Sequence, residues 1–400
     1  MDMKVTDMRY ENRYGLGTEP LSTEDCISPA YFAQEKERLF KRAWLCVGRE
    51  DDVPEVGSYL VKDIAVLGTS IIVVRGKDNK IKAFHNICTH RLNKIMKPGT
   101  GKAKAFTCQF HGWAFGLDGK LIHLSNENLF ANFSREKSGL PVVHADVWKG
   151  FIFINVAPQP KQTLEEFLGE MGKQYDNYFE DMELRGKWHI EVDCNWKLFL
   201  DANTEAYHAP TLHAKSLAGP IADPDNPDCR FNDVRLFGKS RIGSVYANPN
   251  YKPPLVEGKT ALYAKTPLYP ATSATTDKLP PGVNPSKSPM WAFDVSVIFP
   301  NLQVATANGW YLMFLYWPLS ESRTLMEVRN YMYKAETAGD LISQEFPAVH
   351  QRDVLREDMS TLEGTQQVLY SGALKEMNLC DEEITVRHNH VSVAQFMAED

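Results

Sequence analysis

Two mixed cysteine–histidine pairs dominate the chemistry on offer: Cys88-x-His90 and, after a 17-residue gap, Cys108-x-x-His111. Two thiolates and two imidazoles on tight loops can hold zinc or an iron–sulfur cluster. Each pair supplies one Cys and one His, so one iron of a [2Fe–2S] centre takes both thiolates and the other both imidazoles. Replacing two thiolates by neutral imidazoles raises the potential above that of an all-Cys centre. A structural zinc knuckle is the alternative, but zinc motifs usually group Cys with Cys and His with His. Pro98-Gly99-Thr100-Gly101 reads as a turn between the loops, and Gly112 lets the backbone approach a metal closely.

A second set lies in NWKLFLDANTEAYHAPTLH, residues 195–213. Glu205 and His208 are three apart and share one helical face. His208 and His213 are five apart, about 140° from each other on an ideal helix, which is wrong for shared ligation. Pro210 removes an N–H and crowds the carbonyl of Ala206, so the helix is expected to bend or stop there and let His213 swing back. Two His and one carboxylate on one side of an iron leave positions open for oxygen and substrate. Asp358, in VLREDMSTLEGTQQ, is the candidate third ligand, with Glu357 as its local rival.

The elements that must position these groups fall into two styles. Ser28-Pro29 is a helix start, with Phe32, Leu39, Phe40, Ala43 and Trp44 on one apolar face. From about residue 59 the pattern turns to short β-rich runs. Residues 70–75 and 81–84 flank a Lys-Asp-Asn-Lys turn, and Leu117-Asp118-Gly119-Lys120 marks a second hairpin. Residues 148–156 close this all-β region. Thr163 and Glu166 form a capping box, followed by an amphipathic helix expected to run through Tyr178. A strand is expected over 188–194. Residues 218–290, rich in Pro, Gly and Asn, read as a long irregular segment, either functional, such as a lid, or disordered. Strands are expected over 293–299, 310–317 and 324–332, and a last helix over 348–370. The domain boundaries drawn from this are an N-terminal segment 1–39 packing on the catalytic domain, a cluster domain 40–157, and a mononuclear-iron catalytic domain 158–400.

Four hundred residues with 43% hydrophobic and 24% charged side chains describe an ordinary globular chain. A formal charge of −7 offers no basic surface for nucleic acid or an anionic membrane. A polar N-terminus, no long apolar run, and Cys26, Cys46, Cys194, Cys229 and Cys380 without a disulfide spacing point to a cytoplasmic protein. No Gly-rich nucleotide fingerprint is present, so electrons must come from outside.

Taken together, Cys88-x-His90-Arg91, Cys108-x-x-His111-Gly-Trp, Asn195-Trp196-Lys197 and Glu205-x-x-His208-x4-His213, followed by the Glu357-Asp358 pair, resemble the catalytic α subunit of the Rieske non-heme iron oxygenases. The resemblance covers nearly the whole chain. It implies an α+β protein: an all-β Rieske domain, then an antiparallel sheet wrapped around a long helix in the helix-grip manner. It implies that Cys88, His90, Cys108 and His111 hold the [2Fe–2S] cluster, and that His208, His213 and Asp358 hold Fe(II). Glu205 matches a carboxylate that joins a cluster His of one subunit to an iron His of the next, which implies a homotrimer. A separate reductase, with or without a ferredoxin, would supply NAD(P)H electrons. Two positions depart from the family: Leu92 where Gly commonly follows His-Arg, and Asp201-Ala202 where Glu-Asn is common. The expected activity is hydroxylation or cis-dihydroxylation of an aromatic or bulky apolar ring, with Phe293, Val295, Val297, Phe299, Leu312 and Phe314 as a lining. The alternative is demethylation or monooxygenation of a quaternary amine or methyl ether, with Tyr207, Tyr246, Tyr263, Tyr269 and Trp291 as an aromatic cage.

Overall fold

The computed structural model describes residues 8–262 and 279–399, Ala261 by its backbone alone. Two compact units emerge, one of Lys36–Phe167 and one of Met1–Glu35 with Leu168–Asp400.

The smaller unit is all β. Strands β1 (Leu45–Arg49), β2 (Ser58–Ile64), β3 (Thr69–Arg75), β4 (Ile81–His85), β5 (Gly99–Lys102), β9 (Val142–Trp148) and β10 (Phe151–Asn155) form one antiparallel sheet in the order β1-β10-β9-β4-β3-β2-β5. A second sheet holds β6 (Phe106–Thr107), β7 (Ala114–Phe115) and β8 (Leu121–His123). Both expected hairpins form, β3 with β4 and β7 with β8. Alternating residues Val61, Ile72, Val74 and Phe84 join Phe106, Trp113 and Phe115 in a single core that also buries Cys88 and Cys108.

In the larger unit, seven antiparallel strands run in the order β11 (Met182–Val192), β17 (Arg323–Tyr333), β16 (Trp310–Ser320), β15 (Leu302–Ala307), β14 (Trp291–Ile298), β13 (Ser240–Tyr246), β12 (Phe231–Phe237). Register fixes which side chains share a face. Phe231 pairs with Val245 and Val245 with Phe293. The next row holds Val295, Ala305, Leu312 and Asn330. A 32-residue helix, Ala338–Leu369, supplies Gln351, Leu355, Asp358 and Leu362 as a buried stripe at spacings of three, four and seven.

Helices α1 (Pro29–Glu35), α2 (Trp196–Ala202), α3 (Ala209–Leu212), α4 (Ala338–Leu369) and α5 (Ile384–Ala398) are the ones that matter to the site. Asn195 caps α2, its side-chain oxygen accepting the Lys197 backbone N–H at 3.0 Å. Lys197, fully buried, reaches Glu35 of α1 at 2.6 Å, and the Trp196 indole donates to the same carboxylate at 3.1 Å.

Several expected elements are corrected. The helix after Thr163 ends at Leu168, and a 3-10 turn follows in which Gly169 has a left-handed φ of 51°. Residues 263–278 of the expected irregular segment 218–290 lie outside the described residues; within the rest, the β12–β13 hairpin turns at Gly238-Lys239. Strand β15 was not expected at all. Helix α4 begins ten residues before 348, at a Thr337–Asp340 capping box, and carries Pro347 inside it. It is not the last helix: α5 follows, and most of it is buried.

Candidate metal centres and substrate pocket

The two cluster loops close alike. Cys88 N–H donates to the Asn93 carbonyl and Leu92 N–H to the Cys88 carbonyl; Cys108 N–H donates to the Trp113 carbonyl and Gly112 N–H to that of Cys108. The fourth residue after each Cys is left-handed in both, Gly112 at φ 72° and Leu92 at φ 60°. Leu92 therefore occupies the backbone position for which Gly is suited, at a cost of roughly 1–2 kcal/mol.

These closures bring the four expected ligands together. Cys88 and Cys108 are both buried and their thiols are in contact. The His90 and His111 rings stand 4.5 Å apart, and His90 stacks on Trp113 at 4.8 Å. The Asn93 amide donates to the Cys108 sulfur at 3.7 Å. His90 Nδ1 is buried without a hydrogen-bond partner among the described residues. No three of these four groups have their ligand atoms within 4.8 Å of one another, whereas His208, His213 and Asp358 do. Ligands of one tetrahedral zinc, at 2.0–2.3 Å from it, sit closer than that spread. The loops suit a two-iron cluster.

The second centre is assembled from distant chain segments. Helix α2 stops at Asn203, before Glu205, and α3 begins with His208 as its N-cap and Pro210 in its first turn. The expectation that Pro210 ends a helix is thus inverted. It starts one, where its missing N–H costs nothing. His213 closes that single turn, 144 residues from Glu357.

Both imidazoles point Nε2 at Asp358 Oδ1, His213 at 2.8 Å and His208 at 3.4 Å, with ring centroids 4.9 Å apart. Their Nδ1 atoms are held by other carboxylates: His208 by Glu205, and His213 by Glu357 at 2.7 Å. Glu205 also accepts the backbone N–H groups of Tyr207 and His208, and Glu357 the Ser216 hydroxyl. Such partners orient each ring through its Nδ1 proton and aim Nε2 at Asp358, where a bound metal would take the place of the Nε2 proton. Although burial opposes its charged form, Asp358 and Glu205 lift the His208 pKa to about 10. Burial likewise opposes a charged His213, but Asp358 and Glu357 raise it. Asp358 Oδ1 is buried and faces the two Nε2 atoms. Two imidazoles and a carboxylate oxygen facing one acidic hole fit a divalent iron. Glu357, the rival ligand, stands behind His213 instead.

The same hole opens into a pocket lined by Phe231, Phe293, Trp310 and Phe314, with Gln303 and Gln351 among its polar groups. Of the expected lining, Phe293, Val295, Leu312 and Phe314 are there; Val297 and Phe299 are not, and Phe299 packs on Phe396. Among the described residues the expected aromatic cage does not line this pocket. Tyr246 donates to Asp223, Trp291 to Asp294, and Tyr207 is exposed; none lines this pocket, and Tyr263 and Tyr269 lie outside the described residues. Sequence reasoning missed Phe231, Trp310, Gln303 and Gln351. Phe231 was hidden in the stretch read as irregular, and Trp310 is told from its strand neighbours only by register.

A third group, Asp25, Cys26 and His390, is close enough to hold an ion. Its bonds say otherwise: His390 donates to Asp25 at 2.8 Å and to Asp201 at 2.9 Å, so an imidazolium already fills it. Burial pushes the Cys26 thiol well above its ordinary range, so no thiolate is available. This is also where the departing Asp201 spends its carboxylate, with Asn389 donating at 2.9 Å.

Comparison with known families returns two matches. Residues 179–399 match the catalytic domain of the ring-hydroxylating α subunit, and residues 43–134 match the Rieske [2Fe–2S] domain. The chain is 35% identical over 185 residues to the carnitine monooxygenase oxygenase subunit of Escherichia coli K12, a match covering 46% of this chain and 49% of that protein. Similarity thus spans about half the length of that relative. A glycine betaine monooxygenase oxygenase subunit of Pseudomonas aeruginosa is 24% identical over 77% of this chain and 72% of its own. Among solved structures, a quaternary ammonium Rieske monooxygenase superposes with a TM-score of 0.74 at 20% identity, covering 94% of this chain and 95% of that one. Naphthalene 1,2-dioxygenase from Rhodococcus gives 0.73 at 20% identity, covering 98% and 96%. At that identity these two show the fold. No described helix is long and apolar enough to cross a membrane.

Proposed function

The chain belongs to the Rieske non-heme iron oxygenase α subunits, and within that family we propose that it monooxygenates an alkylated, quaternary amine. Members are oxidoreductases acting with O2, and their cofactors are a Rieske [2Fe–2S] cluster and a mononuclear iron. The observation that carries the narrower reading is the aromatic pocket beside the His208–His213–Asp358 hole, taken with the likeness to carnitine and glycine betaine monooxygenases. Electron-rich faces of Phe231, Phe293 and Phe314 attract a cation that cannot donate a hydrogen bond. This reverses the order drawn from sequence, in which ring hydroxylation stood first and the amine second.

In this reading Cys88, His90, Cys108 and His111 would hold the cluster, and His208, His213 and Asp358 the iron. The bound metals would supply single electrons and a site for reducing O2. Around them the chain's own groups do three things. Glu205 and Glu357 keep the Nδ1 protons of His208 and His213 in place. The aromatic wall excludes water and orients the alkyl group. By the resemblance, Glu205 would also join a partner subunit's cluster to His208 in a ring of identical subunits fed by a separate reductase. Overall, a substrate C–H, O2, NAD(P)H and a proton give C–OH, water and NAD(P)+.

The test is turnover by purified, iron-loaded protein with a surrogate reductase, NADH and O2. Quaternary amines and methyl ethers would be set against fused-ring arenes, with products scored by mass. Gain of one oxygen, or loss of an alkyl group as aldehyde, from an amine supports the proposal. Gain of two oxygens and two hydrogens by an arene, with amines inert, overturns it.

A further inference from the structure

The substrate pocket is walled in part by α4, through Gln351, and by β16, through Trp310. Gln351 precedes Asp358 by seven residues on the same buried stripe of α4, two turns or about 10 Å along the axis. Its Oε1 accepts the Asn330 amide of β17 at 2.6 Å, which leaves Gln351 Nε2 and Asn330 Oδ1 both buried and without a partner. Asn330 pairs with Leu312 of β16, and Trp310 is the next residue on that face. The Trp310 indole Nε1 is likewise buried and unpartnered. Both side chains line the pocket.

Two orphaned donors in one wall need an explanation, because buried N–H groups are almost always paired. An indole N–H only donates, so its missing partner is an acceptor. We propose that Gln351 and Trp310 together take an oxygen acceptor on the substrate, a carboxylate or a neutral carbonyl, and so select molecules that carry that oxygen at the end remote from the oxidised carbon. The inference deepens the amine reading above and rests on it for the choice of compounds. The aromatic wall takes the alkylated nitrogen; the two donors take the oxygen and set the register of the chain between them. Both act as positioning groups.

The experiment is calorimetric titration of the anaerobic, iron-loaded enzyme with γ-butyrobetaine, its methyl ester and butyltrimethylammonium, which share a chain and differ in the acceptor. A parallel pair is 2-acetylnaphthalene and 2-ethylnaphthalene. The parent enzyme should bind an acceptor-bearing member roughly tenfold or more tightly than its acceptor-free partner. Acid against ester identifies the kind of oxygen. Gln351→Leu and Trp310→Phe should each bring the ratio toward one, with the loss in Kd and KM rather than in kcat. Two variants guard against one failing to fold. Amines that bind and are oxidised with no acceptor preference overturn the inference and leave the amine reading standing. Acceptor preference in the naphthalene pair alone, with amines unbound, keeps the inference and overturns the amine reading. An unchanged ratio in both folded variants also overturns the inference.

Discussion

The two metal centres are built by opposite routes. The cluster centre needs two loops 20 residues apart, each closed by its own backbone through the same pair of hydrogen bonds. The iron centre needs a broken helical segment, residues 196–213, set against a helix that begins at Ala338. Its rings are then aimed by carboxylates, one from each segment. A locally closed site keeps its shape when the rest of its unit is perturbed. A site assembled from far-apart segments depends on whatever docks them. Here that includes the Lys197–Glu35 ion pair at the start of α2 and the His390 bridge to Asp201 at its end.

Breaking one centre should leave the other. Asp358→Ala is expected to abolish iron binding and turnover while the cluster keeps its visible absorbance; metal and sulfide analysis with electron paramagnetic resonance checks both. Next in size is Lys197→Met, which strands the Glu35 carboxylate in the interior. It should destabilise the larger unit by about 3–5 kcal/mol in urea, with cluster absorbance outlasting iron loss. Glu357→Gln keeps the size of the side chain but weakens the hold on His213 Nδ1. Iron affinity should fall by roughly 10- to 100-fold with the cluster spectrum unchanged.

The His390 bridge should show itself as a pH dependence. Burial opposes its charge, but Asp201 and Asp25 raise its pKa to about 9 from an ordinary value near 6.5. A raised pKa means that its contribution is fully present below about pH 6.5 and is lost as pH rises toward 9. Urea midpoints should decline over that window for the larger unit, and His390→Gln should flatten the decline. The smallest effect lies in the cluster loops. Leu92→Gly relieves a left-handed residue and should stabilise the smaller unit by about 1 kcal/mol, whereas Gly112→Leu should cost about as much.

What was legible follows the same division. Hairpins with Asp-Asn or Asp-Gly turns announce themselves, and so do Cys and His at short spacings. Leu92 was visible as a departure, but its left-handed backbone was not. In the larger unit the Glu205–His208–His213 spacing was readable, yet the role of Pro210 came out reversed, because a proline that ends one helix can equally begin the next. The β12–β13 hairpin was lost among prolines and asparagines. Helix α5 was invisible for a physical reason: Arg387, His388, Asn389, His390 and Ser392 are all buried, so no polar face remains to reveal its period. The stripe of α4 mixes Gln and Asp with Leu, which blurred its start. Polar residues buried inside the protein carry no outward pattern.

The most direct test of the account is a single turnover. Anaerobically reduced, iron-loaded protein would be mixed with γ-butyrobetaine and 18O2, and the labelled products weighed. The account predicts that the amine is consumed with one labelled oxygen atom in its product, and that Asp358→Ala, cluster intact, yields none. Oxygen uptake indifferent to the amine, with naphthalene gaining two labelled atoms under the same conditions, would contradict it.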